Sequence, residues 1–91
     1  MECEIVIEKR RVRADEALFL DYTLSKRSVQ NGLVLYSLLI AETHGERSEF
    51  VFLDALTDDE KQARELFFLF AEETVTPCTV EDVLNEIFYA P

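Results

Sequence analysis

Cations all but vanish from the last part of this chain. After residue 50 there are two bases, Lys61 and Arg64, against ten acids, whereas residues 1–50 carry seven bases against nine acids. The net charge of −10 is therefore concentrated in residues 51–91. A surface so short of Lys and Arg repels phosphate backbones, which argues against nucleic-acid binding through it. It also repels anionic membranes. It reads as a self-repelling, soluble face or as a docking face for a basic protein partner.

Glycine and proline number two each, too few for a disordered or low-complexity chain. Gly32 and Gly45 stand thirteen apart and neither opens a helix, so there is no phosphate-cradling loop. Histidine occurs once and cysteine twice. Cys3 and Cys78 form no closely spaced pair, and a zinc site usually needs four Cys or His ligands. Two buried free thiols are expected. A Cys3–Cys78 disulfide is disfavoured because nothing marks secretion: the start Met1 to Ile5 lacks a cationic segment and a long apolar one. No apolar run approaches the ~20 residues of a membrane span. The expected location is the cytoplasm.

The remaining polar residues suggest little chemistry. His44 falls in an expected turn and reads as solvated. A Cys–His nucleophile would need His44 to meet a thiol in space, although Cys78, next to an expected helix start, could have its pKa lowered there. Asp54, Asp58, Asp59 and Glu60 lie close together but lack the spacing and central glycine of an EF-hand. Nothing selects one carboxylate pair for acid–base work. No catalytic, cofactor-binding or metal-binding residue is assigned, and no cofactor is implied.

What is present is core material. The chain has 91 residues, 48% of them apolar, with seven Phe and three Tyr. That length makes one domain with a modest core. Glu2 to Glu8 alternates as a strand, with Cys3, Ile5 and Ile7 facing inward, followed by the cations Lys9, Arg10, Arg11 and Arg13. A second strand is expected from about Ala17 to Leu24. Asn31 and Gly32 are a strong type I′ turn signal, since both tolerate positive φ. Leu33–Glu42 is apolar on both faces and reads as a central strand. Thr43 to Glu46 forms the next turn. Ser48–Asp54, with Phe50 and Phe52 opposite Val51 and Leu53, also reads as covered on both faces.

Two amphipathic helices follow. Thr57 can cap the first, with Glu60 three residues on, and Thr79 the second, with Asp82 three residues on. Ala63, Leu66, Phe67 and Phe70 make one apolar stripe; Val80, Val83, Leu84, Ile87 and Phe88 make the other. The stretch Thr74 to Pro77 ends the first helix. A DNA-reading helix would present bases at its outward start, where this one has Glu81 and Asp82, so that reading is rejected. Phe68 lies about 150° off the first stripe. With Leu69 beside it, and with Ile40 or Val34 uncovered on the far side of the sheet, it hints at self-association; folding of the tail Tyr89 to Pro91 over Phe68 is the bland alternative. The candidate interaction surface is Phe68, Leu69, Glu72, Glu81, Asp82 and Glu86.

The strand ending at Asp54, the helix start Leu56 to Asp59, the turn Glu73 to Pro77, the helix Val80 to Glu86 and the strand Tyr36 to Ile40 together resemble a family of small uncharacterised Firmicutes proteins. The resemblance covers most of the chain after about Tyr22. It implies a small bacterial cytosolic protein, a domain of unknown function with no assigned catalytic residues.

The expected fold is α+β: an antiparallel sheet of three to four strands, then two helices packed on one face. The expected role is a non-enzymatic interaction or regulatory module, homo-oligomeric or bound to a basic partner. The alternative is a small-molecule or ion-binding domain with a pocket between sheet and helices.

Overall fold

The computed structural model describes residues 4–89, so Cys3 and the tail residues Ala90 and Pro91 lie outside the described residues. Strands β1 (Glu4–Asp15), β2 (Leu18–Ser28), β3 (Val34–His44) and β4 (Arg47–Thr57) precede helices α1 (Glu60–Glu72) and α2 (Val80–Tyr89). The four strands form one antiparallel meander in chain order. This is an α+β arrangement, with strands longer than the alternation in the sequence suggests.

The turns follow local chemistry. Asn31 and Gly32 both have positive φ, 66° and 75°, and the Leu33 N–H closes the turn on the Gln30 carbonyl. These are the expected primed dihedrals, but the Val29 N–H also bonds the Leu33 carbonyl at 2.8 Å, so the loop spans Gln30 to Gly32 and the register is Ser28 to Val34, one residue off that of a two-residue turn. Gly45, at φ 63°, turns β3 into β4 so that His44 pairs with Arg47.

Two strands run on past their expected ends. The cations Lys9 to Arg13 do not follow β1 but belong to it, paired with Phe19 to Thr23 of β2. A register shift between Val6 and Glu8 sets Ile5 beside Lys26, on the side of Leu24 and Tyr36, yet at the end of this edge strand Ile5, expected inward, is exposed. At the other edge a second shift lets β4 continue to Thr57. There the buried Ser37 hydroxyl donates to Asp54 Oδ1 (3.2 Å) and accepts from the Ala55 N–H (3.0 Å). Ala55 takes φ 51° to make this possible. Arg27 adds an ion pair to Asp54 at 3.0 Å.

One face of β2 and β3 makes the core. Leu20, Tyr22, Leu24, Leu38 and Ile40 are fully buried with Ala63, Phe67 and Phe70 of α1. The first helical stripe is therefore buried as its spacing predicts, and α1 contacts β2, β3 and β4. Val80 of α2 joins the same cluster, with Val83 and Leu84 partly packed against it. Ile87 and Phe88, the rest of the second stripe, are exposed. Ile40 belongs to the core and is not uncovered, which corrects the expectation for that residue.

The helix ends differ from the sequence expectation. Asp59 caps α1, its carboxylate accepting from the N–H groups of Lys61 (2.9 Å) and Gln62 (3.4 Å). Thr57 stands one step back: its hydroxyl accepts from the Asp59 N–H and donates to the Gln62 side chain at 2.7 Å. At the other end, the Val75 N–H reaches Phe70 O and the Thr74 N–H reaches Ala71 O, with Thr74 at φ 53°. This is a Schellman closure with threonine where glycine is usual. Before α2, Thr79 Oγ1 turns back to accept from the Thr76 N–H at 3.0 Å, instead of capping toward Asp82.

Candidate functional site

The hydroxyl of Tyr22 donates to the Val75 carbonyl at 2.7 Å. Burial, and secondarily the charge of Glu42, push its pKa up to about 12, so the phenol stays neutral and keeps donating. This bond holds the α1–α2 connection against the sheet. It thereby positions a groove lined by Leu69, Glu73, Val75, Thr79, Val83, Glu86 and Ile87. The floor is apolar, the rim carries Glu73 and Glu86, and no cation among the described residues lines it. The two bases of residues 51–91 are spent elsewhere: Lys61 sits in the first turn of α1, and Arg64 bonds Glu8 (3.1 Å) and Glu60 (3.3 Å).

The structure separates the residues expected to act together. Leu69 and Glu86 share this groove. Glu81 lines a second one on the other flank of α2, with Leu56, Leu84, Asn85 and Phe88. Asp82 and Glu72 are exposed on their helices. Phe68 is 45% exposed, with its ring edge-on to Phe67 at 5.5 Å. Sequence spacing finds the helix faces, but α2 divides the acidic face into two grooves.

Other polar groups make contacts within the fold. Tyr36 donates to Glu60 at 3.1 Å; that bond, then Arg64, hold the Glu60 carboxyl below the usual carboxylate range. Cys78 is exposed, which corrects the expected buried thiol. Its Sγ lies 3.8 Å from Glu49 Oε2, and the charge of Glu49 raises its pKa. The helix-start activation considered for it does not operate, because the nearby carboxylate opposes the thiolate. No group of three or more His, Cys, Asp or Glu among the described residues is placed to hold a metal ion.

The sheet's second face holds what the sequence pattern hides. The register places Lys9, Thr23, Leu39 and Phe52 in one row, and Arg11, Asp21, Ala41 and Phe50 in the next. Phe50 is 73% exposed and Phe52 42%, so β4 is not covered on both faces. The signal for this is weak in the sequence, because alternating aromatics in a strand point inward as readily as outward.

A four-stranded antiparallel meander followed by two helices defines a small α+β protein. Residues 3–90 match the family of unknown function DUF6514, and the chain belongs to that family. No curated protein and no solved structure matches the chain. No helix among the described residues is long and apolar enough to cross a membrane.

Proposed function

We propose that this protein is a non-catalytic interaction module that seats a basic amphipathic segment of a partner protein in the groove between the end of α1 and α2. The observation that supports it is the groove's composition: Leu69, Val75, Val83 and Ile87 form an apolar floor between Glu73 and Glu86. A basic amphipathic helix matches both parts, its apolar stripe entering the groove and its Lys or Arg meeting the rim. The surrounding charge extends the field, with Glu72, Glu81 and Asp82 exposed nearby in sequence and no base after Arg64. A role in the bacterial cytoplasm accords with this acidic character. A small-molecule pocket between sheet and helices has less support, since Tyr22, Leu38, Ile40, Phe67 and Phe70 fill that layer.

The test uses two labelled amphipathic helices, one of Leu and Lys and one of Leu and Glu, titrated with the protein and followed by fluorescence anisotropy. The Lys peptide is expected to bind, more weakly as salt rises. Joint reversal of the rim, Glu73→Lys with Glu86→Lys, is expected to abolish the preference. Equal binding of both peptides, or an unchanged affinity after the reversal, would overturn the proposal.

A further inference from the structure

We infer that the second face of the sheet is a homodimer interface, in which two copies stack face to face with β1 of one protomer over β4 of its partner. On this face Phe50 and Phe52 are exposed, while farther along the strands Ser25 and Ser37 are buried and bonded to Glu4 and Asp54, with Arg27 paired to Asp54. The molecule measures 45 × 37 × 17 Å, and the buried cluster draws on the opposite face, through Leu20, Tyr22, Leu24, Leu38 and Ile40. Four strands of about eleven residues present a face of about 19 by 37 Å. Its area, on the order of 700 Å², approaches the ~800 Å² per partner of a standard protein interface.

The pattern on the face selects the occupant and the axis. Lys9 and Arg11 stand on β1 at one edge, Phe52 and Phe50 on β4 at the other, in the same two rows. A two-fold axis parallel to the strands keeps the rows and exchanges the edges. Lys9 then meets Phe52 of the second copy, and Arg11 meets Phe50, each contact occurring twice. A cation over an aromatic ring is attractive, the more so once water is excluded. Arg11 is already laid flat for this: its guanidinium lies 5.3 Å from the Phe19 ring centre and pairs with Asp21 through two bonds of 2.8 and 3.1 Å. Thr23 and Leu39, in the middle of the rows, cover one another. A two-fold axis across the strands would instead set β1 on β1 and oppose like charges, which costs free energy. The self-complementary arrangement is thus the one with edges exchanged, and two twisted sheets stack this way with strands about 30° apart.

The test is the molar mass of the full chain in solution, by sedimentation equilibrium over a range of concentrations. A monomer–dimer equilibrium is expected. Phe50→Ser with Phe52→Ser is expected to leave a monomer with an unchanged circular-dichroism spectrum. Lys9→Glu, an exposed change that does not touch the core, is expected to weaken the dimer roughly tenfold, since two cation–ring contacts are lost. A monomer at every concentration would overturn the inference. So would a dimer that Lys9→Glu strengthens, which is the result for β1 on β1. A dimer that survives the double Phe substitution but is lost in Phe68→Ser would place the contact on the helical side, and would equally overturn it.

Discussion

Tyr22 and Val75 are joined by a buried hydrogen bond of 2.7 Å that spans 53 residues of chain. It ties the centre of the sheet to the connection between the helices. Val75 also lines the acidic groove, so a core bond fixes the geometry of a surface feature.

Tyr22→Phe keeps the ring and removes the donor, leaving a buried carbonyl with one partner fewer. The expected loss is about 1 kcal/mol. A urea midpoint unchanged from the wild type would show that water replaces the hydroxyl at no cost.

The same tyrosine makes the fold sensitive to alkali. Its folded pKa, about 12, lies above the ordinary value of 10.0. A group whose pKa is raised on folding favours the folded state while it keeps its proton. That contribution is complete below pH 10 and is lost as pH rises toward about 12. Stability measured across this window should fall more steeply for the wild type than for Tyr22→Phe. Parallel slopes would assign the alkaline loss to other groups.

Asp59, and not Thr57, is the cap of α1. Asp59→Ala should cost about 1 kcal/mol through loss of its bonds to the Lys61 and Gln62 N–H groups. Thr57→Ala removes a bond to a side chain and one to the Asp59 N–H, and should cost less. Chemical denaturation of both variants checks the order, and a larger loss for Thr57→Ala would reverse the assignment.

Thr74 closes α1 at φ 53°, where a β-branched side chain is strained. Thr74→Gly should stabilise the protein by about 0.5 kcal/mol, the relief of strain exceeding the added freedom of the unfolded chain. A lowered thermal midpoint would mean that the threonine side chain contributes more than its backbone costs.

The legible features were those governed by local rules. Asn31 and Gly32 take the expected primed dihedrals because few residue pairs tolerate two positive φ values in succession. Ala63, Leu66, Phe67 and Phe70 are buried because helical spacing leaves them on one stripe. The concentration of acid in the helical part is a property of composition alone. Where two local solutions competed, the sequence could not choose. Thr57 and Asp59 are both good caps, and the cap fell to Asp59 because β4 runs on to Thr57. That extension depends on Ser37, a residue of another strand, bonding Asp54 and Ala55. Which side of β4 faces water was likewise not written in its alternating pattern: with aromatics on one side and aliphatics on the other, either could be buried. Pairing with β3 settled it. Val51 and Leu53 fall beside Ile40 and Leu38 on the core side, and Phe50 and Phe52 are left outside. Local chemistry thus determined the elements, their turns and the acidic character of the helices. Long-range register determined which apolar residues remain exposed, because a face is defined only once neighbouring strands are aligned.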